Sequence, residues 1–100
     1  MDTFIALADP TRRQIVETLA AGETSFGSLA DQFAMSRPAV SQHLKVLRDA
    51  GIVTSRPAAQ RRIYRLSDGG LDEMDNWLRE VQKFWSQRLD KLERALNEQE

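Results

Sequence analysis

The chain contains no cysteine, and that absence removes disulfide frameworks, thiolate zinc sites, iron-sulfur clusters and cysteine nucleophiles. Histidine is nearly absent as well: His43 stands alone, so no site within one chain can use two imidazoles. There is no Gly-x-Ser-x-Gly, no phosphate-binding loop and no metal-ligand cluster, and no general base other than His43 stands near a nucleophile, which argues against an enzyme and against a bound cofactor. No apolar run approaches the roughly 18 to 20 residues of a membrane span, and the opening MDTFIALADP has no basic segment ahead of its short apolar stretch. A cytoplasmic protein without membrane contact is expected. From Leu71 to about Glu98 glycine and proline are missing altogether, so nothing there interrupts a helix.

What is present describes an ordinary globular chain, with 41% hydrophobic and 29% charged residues. A hundred residues make one domain, here residues 1–100, and a domain of that size buries only about 60 to 65% of its unfolded surface, so association with a second copy is expected. The net charge of -1 conceals a separation. Residues 36–66 hold Arg37, Lys45, Arg48, Arg56, Arg61, Arg62 and Arg65 against Asp49 alone, a balance of +6, and the rest of the chain carries -7. A basic head on an acidic body is the electrostatic footprint of a nucleic-acid-binding protein.

Local signals order the elements. Phe4, Ile5, Leu7 and Ala8 suggest a short first helix. Asp9 and Pro10 open a second, whose stripe is Ile15, Val16 and Leu19 and whose stop is Gly22. Ser25 precedes Phe26, Leu29, Ala30 and Phe33 at the spacing of one buried face, which predicts a third helix ending near Phe33. Ser36 caps a fourth, SRPAVSQHLKVLRDA, closed by Gly51. IVTSRP and RRIYRL around AAQ read as a hairpin, and a last helix follows from Leu71 to about Glu98, about 42 Å long where a compact domain spans about 30 Å. This order is that of a winged helix-turn-helix: mainly α, about five helices and a two-stranded wing, with the helix-turn-helix over about 25–50, the wing over about 52–66 and a dimerisation helix over about 71–98.

At about 100° per residue the fourth helix divides into faces. Val40, Leu44 and Leu47 form the core stripe, while Pro38, Ser41, Gln42 and Lys45 project from the other side with Ser36, Arg37 and Arg48 beside them. Gln pairs bidentately with adenine, Ser with several base edges, and Arg or Lys with guanine or phosphate. Arg56, Gln60, Arg61 and Arg62 sit where a wing reaches phosphates or a minor groove. His43 lies on the flank of the core stripe, with three readings open: a satisfied structural histidine, a DNA contact, or a metal ligand. Tyr64 reads as a core-side aromatic with a wet hydroxyl.

The last helix is apolar over more surface than one neighbour needs. Leu71, Met74 and Leu78 suit the chain's own core, whereas Trp77, Val81, Phe84, Trp85, Leu89 and Leu92, with Phe4 and Ile5, suit a second copy. A ligand pocket built from these aromatics and a monomer folded back on itself are the alternatives. So is a winged helix that binds another protein in place of DNA, although such a module needs no +6 on its reading face.

DPTRRQIVETLAAGE, then SLADQFAMSRPAVSQHLKVLRDAGIV, then a wing ending RRIYRLS, resembles the ArsR/SmtB family of bacterial winged-helix repressors over residues 3–67, and MSRPAVSQHLKVL with FWSQRLDKLE is similar to its cysteine-free, SdpR-like branch. The resemblance implies a homodimer joined through the first and last helices, a fourth helix from each subunit in successive major grooves of an inverted repeat, and repression or autorepression at a promoter. Metal-sensing relatives use cysteines in the third helix, where this chain has SFGSLADQF, or His and carboxylates along the last helix, where it has Asp72, Glu73, Asp75 and Glu80 without His. A repressor that does not respond to metal is therefore expected, with any small-molecule effector unknown.

Overall fold

A computed structural model describes residues 2–98, so the outermost ends of the expected 1–100 domain lie outside the described residues. The elements are α1 (Thr3–Ala6), α2 (Pro10–Ala20), β1 (Thr24–Ser25), α3 (Phe26–Ala30), α4 (Arg37–Asp49), β2 (Val53–Ala58), β3 (Arg61–Leu66) and α5 (Asp72–Glu98). Two of the longer helices start where a side chain takes over the first backbone donors. Asp9 accepts from the N–H groups of Thr11 (2.8 Å) and Arg12 (3.1 Å), with Pro10 at the first helical position. The bond from the Arg12 N–H holds the Asp9 carboxyl below its ordinary pKa. Ser36 accepts from the Ala39 N–H (3.2 Å) at the start of α4, and Gly51, at φ 79° in the left-handed region, ends it.

The core forms where these helices meet the sheet: Ile15 and Leu19 from α2, Leu29 and Ala30 from α3, Val40, Leu44 and Leu47 from α4, then Ile52, Val53 and Tyr64. The core stripe of α4 is the one its 3.6-residue period requires. Three expectations are corrected. The wing is not two-stranded: β1 pairs with β3 (Thr24↔Tyr64, Ser25↔Ile63) to give an antiparallel sheet ordered β1-β3-β2. Two residues are too short for alternation to reveal a strand, and Ser25 serves both as its end and as the cap of α3. The third helix stops at Ala30, short of Phe33; i to i+3 turn bonds, Gln32 N–H to Leu29 O and Phe33 N–H to Ala30 O, still bring Phe33 against the core. Leu78, expected in the chain's own core, is 44% exposed.

That last correction follows from how α5 departs. Gly70 lies so close to the α4–β2 junction that a Cβ there would stand 2.7 Å from the Gly51 carbonyl oxygen. The chain turns at that contact, packs Leu71 on the core and then runs away from the body. The described residues span 70 × 26 × 23 Å with a radius of gyration of 19.2 Å, against about 13 Å for a compact chain of this length. No residue of α5 is fully buried.

Candidate nucleic-acid interface

The exposed side of α4 and the wing enclose two adjoining concavities. The larger, about 620 Å³, is lined by Ser25, Phe26, Gly27 and Ser28 at the start of α3, Arg37 and Ser41 of α4, and Gln60, Arg61, Arg62 and Tyr64 of the wing. The smaller, about 300 Å³, continues along α4 past Pro38, Ser41, Gln42, Lys45 and Arg48. Ser41 and Tyr64 border both, so the two form one groove with Tyr64 on its floor. Five of its lining residues are cationic and none is acidic. Hydroxyl, amide and guanidinium donors in a basic groove match what phosphate oxygens and base edges offer.

Nine of the twelve residues singled out from the sequence for DNA contact line this groove, and Ser36, His43 and Arg56 do not. Ser36 caps α4 at the groove's edge. Arg37 donates to Asp31 at 3.3 Å, and Arg62 donates to the Ser55 hydroxyl at 2.9 Å, which steadies a guanidinium without neutralising it. Arg56 is held elsewhere. It alternates onto the wing face opposite Tyr64, with Thr54, Ile63 and Arg65, and donates both terminal nitrogens to Glu23 at 2.8 and 3.0 Å. The bond from Arg56 holds the Glu23 carboxyl below its ordinary range, and Glu23 in turn raises Arg56. His43 is half-buried on the inner flank of α4, its Nδ1 3.3 Å from Nη1 of Arg12. Ser25, Gly27 and Ser28 are groove residues that no sequence pattern marks as such. Their only sequence signal is a helix cap, and it takes the β1–β3 pairing to bring that cap alongside the wing.

The start of α3 offers serine hydroxyls in place of thiolates, and among the described residues no three His, Cys, Asp or Glu side chains gather to hold an ion.

A second surface lies apart from the groove. Along α5, Trp77, Leu78, Phe84, Trp85, Leu89, Leu92 and Leu96 are all between 44% and 61% exposed, and Ile5 of α1 is 62% exposed. Phe4 and Val81 are half-buried within the single chain, Phe4 by an edge-on contact with Trp77 at 5.5 Å between ring centres. Large side chains in one stripe of a helix are surface awaiting a cover. Because Trp77, Phe84 and Trp85 are each more than half exposed, one chain alone does not enclose them as a ligand pocket. No helix among the described residues is long and apolar enough to cross a membrane.

Comparison with known proteins agrees with this geometry. A family model described as "Bacterial regulatory protein, arsR family" matches residues 9–55. The chain is 50% identical over 84 residues to an HTH-type transcriptional regulator of Mycobacterium tuberculosis, an alignment covering 84% of this chain and 76% of the relative. It is 34% identical over 77 residues to the transcriptional repressor SdpR of Bacillus subtilis, covering 77% and 86% of the two chains. Among solved structures, one titled as a possible transcriptional regulator for arsenical resistance superposes with a TM-score of 0.75 at 41% identity, covering 92% of this chain and 93% of that one.

Proposed function

The chain belongs to the arsR family of bacterial regulatory proteins, a transcriptional regulator with the winged helix-turn-helix fold, and from that premise we propose that it is a homodimeric repressor that binds an inverted repeat in a promoter without responding to metal. The observation that carries the DNA-binding reading is the single basic groove joining α4 to the wing. In this reading Ser41, Gln42, Lys45 and Arg48, with Arg37 and Pro38 at the helix start, enter the major groove. Gln60, Arg61 and Arg62 at the wing tip take the backbone. Arg56 exchanges its partner Glu23 for phosphate only at the cost of that ion pair, and His43 acts from behind the reading face.

The uncovered stripe of α5, extended by Phe4 and Ile5 of α1, supports a two-fold dimer, because an isologous pairing of long helices covers both stripes at once and matches the symmetry of a palindrome. The hydroxyls at the start of α3 and the scattered carboxylates of α5 support regulation by something other than a metal. A gel shift of the full chain on the duplex upstream of its own gene, beside a random duplex of equal length, tests the reading. Binding that favours the upstream duplex is expected; equal binding to both, or none, contradicts it.

A further inference from the structure

The two arginines of DPTRR do more than begin α2. Arg13 donates through Nη1 to the carbonyl oxygens of Leu7 (3.0 Å) and Ala8 (3.5 Å). Arg12 donates through Nε to Ala6 O (2.6 Å) and through Nη2 to Ile5 O (3.4 Å). Carbonyls that a four-residue helix cannot satisfy within itself are thereby held by two guanidinium groups. Only Arg12 has a third side engaged. Its Nη1 lies 3.3 Å from Nδ1 of His43, and since arginine offers no acceptor, a hydrogen bond here has Arg12 donating and His43 Nδ1 accepting.

These bonds join the molecule's two surfaces. α1 touches α5 through Phe4 and Trp77, and it packs Thr3 and Ala6 inward. The guanidinium of Arg12 spans from the α1 carbonyls to the middle of α4, on the face opposite Gln42 and Lys45. Apolar contact is non-directional and constrains the orientation of a helix as short as α1 less closely than hydrogen bonds do. A planar group bonded on several edges resists sliding and rolling, which a flexible ammonium cannot do.

We propose that Arg12 is a positioning residue that fixes the angle between the recognition helix α4 and the α1–α5 layer, and so sets the separation of the two reading heads in the dimer. The inference rests on the proposed dimer on an inverted repeat. There the half-sites must lie a helical turn apart, and rotation of α4 against the dimer layer moves both heads off that spacing.

The test uses the full chain, a palindromic duplex selected from a random pool, the same duplex with one base pair added or removed between its halves, and a single half-site. The wild type is expected to favour the selected spacing by at least about fivefold, the low end of coupling between two sites, and Arg12→Gln and His43→Leu to reduce that preference to within about twofold. Both variants should still sediment as dimers and bind the single half-site like the wild type. Arg13→Gln, which loosens α1 without reaching α4, and His43→Asn, whose Oδ1 replaces the Nδ1 acceptor, should keep the preference. Retention of full spacing preference by Arg12→Gln or His43→Leu overturns the inference, as does an equal loss in Arg13→Gln. Should Arg12→Gln not fold, the two His43 variants decide between the same outcomes. A wild type indifferent to spacing overturns the inverted-repeat reading as well, whereas a spacing-sensitive wild type with an unchanged Arg12→Gln overturns this inference alone.

Discussion

Gln42 and Arg62 line different stretches of the same groove, and their loss is expected to be felt differently. In the proposed complex the exposed amide of Gln42 reads base edges, so Gln42→Ala should narrow the gap between specific and random DNA by about 1 to 3 kcal/mol. In the proposed complex Arg62, steadied by Ser55 at the wing, meets phosphate, and Arg62→Ala should weaken all duplexes alike while lowering the log-log salt slope by about 0.9. Titrations of both variants on selected and random duplexes separate the roles; equal losses on the two DNAs for both would undo the assignment. Glu23 makes a prediction of opposite sense. Its carboxyl titrates below the ordinary 4.5 because Arg56 bonds the charged form, so the brace it supplies is present above that value and disappears as pH falls through the folded pKa. Urea midpoints of wild type and Glu23→Gln should therefore differ at neutral pH and converge in acid. Freed from Glu23, Arg56 should also bind DNA phosphate more readily, and a salt slope no steeper in Glu23→Gln would contradict that.

Elements with strong local punctuation are legible in the sequence alone. Ser36 and Gly51 bracket α4, Asp9 and Pro10 open α2, and the unbroken run after Leu71 is α5. What is not legible is set by contacts distant in the chain. The bond between Arg56 and Glu23 joins residues 33 apart, and that between Arg12 and His43 joins residues 31 apart, so no periodicity reports either. The same holds for β1, which is a strand only because β3 lies beside it, and for Leu78, whose spacing fits the core stripe but whose turn of α5 has already left the body. The groove itself is half legible: the face of α4 and the wing tip can be read, the α3 wall cannot. Gly70 fixes where α5 departs. Gly70→Ala would press a methyl on the backbone of Gly51 and Ile52, and a loss of about 1 to 3 kcal/mol in thermal or urea unfolding is expected, as for other overpacked sites. Unchanged stability would show that the α5 junction gives way freely.

Seen whole, the chain is a small globule with a helix that outreaches it, basic at one surface and apolar at another. The proposed dimer gives each surface its role, since the α5 stripe holds two copies together and the grooves face one duplex. Trp85→Asp places a charge in the stripe, far from the groove. Sedimentation should then find monomers, and the variant should keep single half-site binding while losing the roughly 10²- to 10⁴-fold gain of two linked heads. A dimer that persists would move the interface elsewhere.

The most direct test of two basic heads acting together is the salt dependence of binding to the selected palindrome and to its single half-site. Two copies of Arg61 and Arg62, with Arg56 partly released from Glu23, should give a log-log slope of about -4 to -5 on the palindrome and about half that on the half-site. Equal slopes on the two duplexes, or a slope near zero on both, would contradict the account.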